Sequence, residues 1–302
     1  MSRNEAEAPP ALDPASADVL ARARRDIQQR RVSHAHASAQ QQRSWAWAAL
    51  MLSLLAIASL VLSPSGTLPT RLHALMRGVC DQVNNLPYSA PPLPLDARCT
   101  GIYASLLATL GYLLAWGRGR AAKLPSRPIL GLAVAAMVML AIDGFNSLFS
   151  QLGVHVYLPQ TALRLATGLG MGAALAVVGL PLLNAGLRAD ADRDQPSVKD
   201  WRELSGVVVL NIIIGTLAWM APEWLYYPLA LFSFAGMISV LVLVNVGAVV
   251  LVSRRRGQVY FVGQLARPAT VAIMYTIAEL LLLGWARDVS AQAHAIGQIW
   301  LA

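Results

Sequence analysis

An all-α, polytopic membrane bundle of about seven transmembrane helices, N-terminus cytoplasmic and C-terminus outside, is the fold this sequence predicts. Three observations carry the prediction. The 302-residue chain is 56% hydrophobic and only 13% charged, too little polar surface to clothe a soluble protein of this size. Apolar runs close to the roughly 20 residues that a helix needs to cross the hydrocarbon layer recur along the chain. Nineteen of the 24 Lys and Arg residues fall in alternate connections between those runs.

The runs are Trp45–Leu62, Gly101–Trp116, Ile129–Phe149, Leu163–Leu183, Leu204–Met220, Tyr227–Val252 and Thr270–Trp285. They are continuous rather than alternating, which selects helices over a barrel. The basic residues lie before Trp45 and in the second, fourth and sixth connections, whereas Arg71, Arg77, Arg98, Arg164 and Arg287 fall on the other side. Basic residues collect on cytoplasmic loops, so this alternation sets the orientation at every crossing. It also accounts for the net charge of +8 without nucleic acid; membrane lipids are the expected partners. Trp45, Trp47, Trp116, Trp219, Trp224, Tyr226, Tyr227 and Trp285 sit at predicted helix ends, as an aromatic belt does.

The chain divides into three parts. Residues 1–44 form a polar, basic tail, with 1–15 expected to lack structure and Ser16–Val32 to be helical, Val19, Ala23 and Ile27 sharing one face. A long polar tail ahead of the first run reads as a signal anchor rather than a cleaved leader. Residues 45–185 hold the first four spans and the outer loop 63–100. Residues 186–302 hold the last three spans and a short C-terminal tail.

Polar residues concentrate around that outer loop. Both cysteines, Cys80 and Cys99, lie in it. Leu68–Cys80 reads as an interfacial helix with Leu68, Leu72, Leu75 and Met76 on one face. Pro87, Pro91, Pro92 and Pro94 then force an extended stretch. Asp143 and Asn146 lie near the outer end of the third span, and Arg164 and Thr167 open the fourth. Ionisable groups at membrane depth are normally paired or functional, so Asp143 and Arg164 are expected to pair across neighbouring helices. Gly168 and Gly172 form a small-xxx-small face for close helix packing. Glu279 stands isolated midway along the last span, with no basic partner at its depth.

Three states are open to the cysteine pair: a disulfide, a metal site, or free thiols. Several chemistries find no support in the sequence. The chain has no Walker-type loop, no HExxH, no GxSxG and no CxxCH, and its five histidines lack metal spacing apart from a weak His34-x-His36. No internal repeat of the transporter kind is evident.

Cys80-Asp81-Gln82, then Asp96-Ala97-Arg98-Cys99-Thr100-Gly101-Ile102-Tyr103, then Asp143-Gly144 and Leu163-Arg164-Leu165-Ala166-Thr167-Gly168 together resemble a family of prokaryotic membrane proteins, the domain of unknown function twenty eighty-five. The resemblance spans about residues 75–185 and implies a prokaryotic plasma (inner) membrane. The family pattern sets Cys-His-Gln before a Cys-Ala-Arg-Cys-Thr-Gly-Ile-Tyr motif, a soft-metal set. Asp81 and Asp96 stand here where His and Cys are usual. Cys80, Asp81, Asp96 and Cys99 are thus the implied metal ligands, for zinc or another transition metal. Gln82, Arg98, Thr100, Tyr103, Asp143, Asn146, Arg164 and Thr167, which the span directions bring towards one outer pocket, are the polar candidates.

Three functional readings follow. The first is a membrane protein with an outward-facing polar or metal-binding site. The second is a structural or accessory subunit of a larger membrane complex. The third is an enzyme acting on a lipid or quinone at the outer leaflet, with Asp143 as base and Arg98 or Arg164 as anion clamp. The sequence assigns no catalytic residue and no cofactor by itself.

Overall fold

A computed structural model describes residues 14–64, 66–88, 92–150, 152–253 and 257–301. The Pro- and acid-rich stretch 1–13, Pro91 and Arg254–Arg256 lie outside the described residues. The chain is an all-α membrane bundle. Its long helices are α1 (Pro14–Gln41), α2 (Arg43–Leu62), α4 (Ala97–Ala115), α5 (Arg127–Ser150), α6 (Thr161–Leu187), α7 (Trp201–Met220), α8 (Tyr226–Val252) and α9 (Ala266–Leu301), with the short α3 (Leu68–Met76) after α2.

Among the described residues six helices are long and apolar enough to cross a membrane: α2, α5, α6, α7, α8 with its preceding turn, and the part of α9 up to Ser290. The seventh expected span, α4, falls short of that composition for a physical reason. It sits at the centre, packed against α6, α7 and α8, and buries Thr100, Ser105 and Thr109. A helix that faces protein on most sides needs less apolar surface than one that faces lipid. It still carries the chain from one end of the bundle to the other.

The α4–α6 contact is the tightest. A Cβ added to Gly172 would stand 2.1 Å from the Ile102 carbonyl oxygen, and one added to Gly168 would stand 2.3 Å from that of Arg98. Ser105 donates to the Leu169 carbonyl at 2.7 Å across the same seam. The small-xxx-small face therefore meets α4, and these contacts run in the same sequence direction, so the two helices are parallel.

One end of the bundle holds the stretch between α3 and α4. It folds back over the helices and buries Leu86, Leu93 and Leu95. The interfacial helix is shorter than expected, stopping at Met76, with Leu72 and Met76 turned inward. The opposite end carries a feature absent from the sequence reading. Two short strands, β1 (Ala121–Lys123) and β2 (Asp192–Pro196), pair in parallel. Asn184 of α6 pins them by donating to the carbonyls of Gly119 and Ala121. There Arg118 pairs with Glu203, which also accepts the Lys199 amide at 2.8 Å. The basic second and fourth connections thus meet at this end.

The tail helix is longer than Ser16–Val32 and ends just before α2. His36 stacks on Phe261 with centroids 4.1 Å apart, a packing role. Glu279 is not isolated: Asn245 of α8 donates to its Oε2 at 2.9 Å and to Thr276 at 3.1 Å. The partner is an amide rather than a base, which satisfies a carboxyl without burying a second charge.

Candidate metal and polar centre

The first turn of α4 organises two clusters. Asp96 is its N-cap, and Asp96 Oδ1 accepts the Cys99 amide at 2.7 Å. This is the usual service of an Asp N-cap to the unpaired amides of a helix start. Successive helical residues point about 100° apart, so Arg98 and Cys99 leave the same turn towards different neighbours.

Cys99 faces Cys80. The Cys80 sulfur accepts the Asp96 amide at 3.2 Å, so cap and thiol lock together. The two sulfurs and a carboxylate oxygen of Asp96 all lie within 4.8 Å of one another. Cys80 is buried at 3% exposure and Asp96 at 6%. Both cysteines are free thiols, so the disulfide alternative is not the state of this structure. The adjacent Cys99 thiol, through its hydrogen bond, holds the Cys80 thiol below the ordinary thiol range, against the burial that would raise it.

Gln82 builds the turn that brings Cys80 here. Its backbone is left-handed, with φ of 58°, a conformation that disfavours side chains. Its amide offsets that cost by donating to the His73 and Pro94 carbonyls, both at 2.7 Å. Asp81 is corrected as a ligand. It is 60% exposed in its side chain and pairs with Arg287 of α9 at 3.1 Å, outside the cluster. Arg287 also donates to the Cys80 carbonyl at 2.8 Å, so α9 holds the backbone while the thiol turns inward. Thr100 bonds the Leu95 carbonyl at 3.2 Å. Tyr103, one turn beyond Cys99, packs against the apolar side of the cluster with Met76, Leu95 and Met237.

The donor set fits a metal. Two thiolates and a carboxylate suit zinc, and three protein donors leave one tetrahedral position for water or another ligand. Asp96 is the helix cap and a candidate donor, and substitutions separate the two. Asp96→Ala should lower stability by about 1 kcal/mol through the lost cap. Asp96→Asn, which keeps an acceptor, should melt close to the parent in metal-free detergent micelles.

Arg98 faces Asp143, and this corrects the expected pairing with Arg164. The Arg98 guanidinium pairs with Asp143 Oδ2, and its Nη2 donates to Ser147 Oγ at 2.9 Å. Tyr157 donates to Asp143 Oδ1 at 2.9 Å, and Thr167 reaches Oδ2 at 3.5 Å. Asn146 positions Tyr157 by accepting the Val156 amide at 2.8 Å and donating to the Tyr157 carbonyl at 2.9 Å. Arg164 forms no ion pair among the described residues, and its Nε is buried without a partner. The reason is register: α4 packs on α6 with Arg98 level with Asp143 of α5, and the long Arg98 side chain reaches that carboxylate. Asp143 is 1% exposed and bonded through both oxygens. In this structure the carboxylate is the counter-ion of Arg98 and the acceptor of Tyr157.

Sequence reasoning missed Arg118, Glu203, Asn184, Asn211 and Thr109. Only the acid of a Trp201-Arg202-Glu203 helix start, capped by Asp200, offered a signal.

Residues 82–178 match the model of a family described as "Predicted membrane protein (DUF2085)", about a third of the chain. Cys99, Asp96, Arg98, Asp143, Arg164 and Thr167 lie inside the match, and Cys80 lies just before it. No curated protein and no solved structure matches the chain.

Proposed function

We propose that this membrane protein, whose central segment matches that family, holds a transition-metal ion, zinc by preference, between Cys80, Asp96 and Cys99 at the outer end of its bundle. The observation that carries the reading is the convergence of two thiols and a carboxylate within 4.8 Å in a buried setting. Two thiolates favour zinc over magnesium or calcium, and the carboxylate weakens the preference for softer copper. The outward orientation rests on the alternation of Lys and Arg between connections.

Elemental analysis of the purified protein, joined to thiol titration before and after chelation, tests it. One zinc per chain is expected, with both thiols reactive only after chelation. Cys80→Ser and Cys99→Ser should each lower the zinc content well below stoichiometric. No metal, together with two thiols that appear only on reduction, would sink the proposal in favour of a disulfide staple.

A further inference from the structure

We propose that Glu279 is the docking point for a transmembrane helix of another protein, one that carries an arginine or lysine at mid-bilayer. The carboxyl lies midway along the span contributed by α9 and is only partly buried. Ionisable groups at that depth are costly and normally paired. Asn245 satisfies one of its oxygens, donating to Glu279 Oε2 at 2.9 Å and to Thr276 Oγ1 at 3.1 Å. Among the described residues Glu279 Oε1 and Asn245 Oδ1 have no donor, and neither atom is sealed beneath the surface.

Helical spacing identifies the open side of α9. Ala272, Thr276 and Leu280 are buried and face α8, where they meet Val246, Asn245 and Met237. The α2 helix lies on the far side. Thr270 donates to the Trp45 carbonyl at 2.9 Å, and it precedes Glu279 by about two and a half turns. Tyr275 and Leu282, about one turn before and after Glu279, are 58% and 61% exposed. Glu279 therefore stands where the α8 contact gives way to a lipid-facing stripe that neither α8 nor α2 covers.

Charge decides the occupant. Acyl chains carry no donor at this depth. The spans of this chain hold Lys and Arg only towards their ends, so a second copy presents no base to Glu279. A basic side chain from a partner helix supplies donors to both free oxygens and a counter-charge to the carboxylate. Opposite charges that pair inside the membrane relieve the cost that each carries alone. Tyr275 and Leu282 give the same helix an apolar surface on which to pack.

The test uses the full chain in phosphatidylcholine vesicles and a lysine-flanked polyleucine transmembrane peptide with Arg, Gln or Leu at its centre. Energy transfer between labels on protein and peptide reports association. The Arg peptide should bind about fivefold to thirtyfold more tightly than the Leu peptide, with the Gln peptide between them. Glu279→Gln, which keeps the shape and removes the charge, should bring the Arg peptide down to the level of the Gln peptide. The peptide series is read on the unaltered protein, so it decides the matter even where that variant fails to fold. Equal binding of the Arg and Leu peptides overturns the proposal, and so does equal binding of the Arg and Gln peptides. An arginine preference that survives in Glu279→Gln, or a dimer of this chain lost in that variant, overturns it as well.

Discussion

Asp143→Ala should destabilise the protein by about 3–5 kcal/mol, because it leaves the Arg98 guanidinium uncompensated inside the bundle. Three elements meet at this carboxylate: Arg98 from α4, Thr167 from α6 and Tyr157 from the connection between α5 and α6. Its removal therefore loosens all three. Thermal unfolding in detergent micelles measures the loss. The double variant Arg98→Leu with Asp143→Leu should recover much of it, since an apolar pair of similar volume is often no worse than a buried ion pair. Arg164→Ala should have a far smaller effect than Arg98→Ala. If the two arginine variants were equally damaging, the assignment of Arg98 as the partner would fail.

Gly172→Leu should separate α4 from α6 and cost as much or more. Even a methyl group there would stand 2.1 Å from the Ile102 oxygen and 2.7 Å from the Ser105 Cβ, and both belong to packed helix rather than to a flexible side-chain end. Overpacking typically costs about 1–3 kcal/mol and more where backbone must move. Gly179 lies on the same helix with nothing within 4 Å of an added Cβ. Gly179→Ala should hold or raise stability by up to about 1 kcal/mol, the helix-propensity gain over glycine. Melting temperatures of the two variants, compared side by side, check the contrast.

Much of this architecture is legible in one sequence. Unbroken apolar runs announce helices because the bilayer demands that each backbone amide find its partner inside the segment. The glycines at 168 and 172 announce a close crossing for the same local reason. What was not legible is azimuth. Asp143 could be placed near one end of its span by counting, but whether Arg98 or Arg164 reaches it depends on how α4 and α6 are rotated about their shared seam. Asp81 and Asp96 look equivalent beside their cysteines. Only the cap at the start of α4 aims Asp96 inward, while Arg287, some 200 residues away, draws Asp81 out. The strands β1 and β2 were hidden because runs of three and five residues are too short to carry a periodicity. Asn245 and Glu279 are 34 residues apart, a separation that no local pattern encodes.

The central position of α4 also bears on the order in which the chain is assembled. This helix carries Arg98 in its first turn and then Thr100, Ser105 and Thr109, the last three buried against neighbours in the finished bundle. The helices that cover it, α6, α7 and α8, have not been synthesised when α4 leaves the ribosome, and the chief of them, α6, begins 46 residues after α4 ends. Polar groups raise the cost of entering lipid alone. The favourable bilayer position of α4 therefore depends on a helix that follows it, and the glycine seam with α6 is where integration of the first half of the molecule is completed.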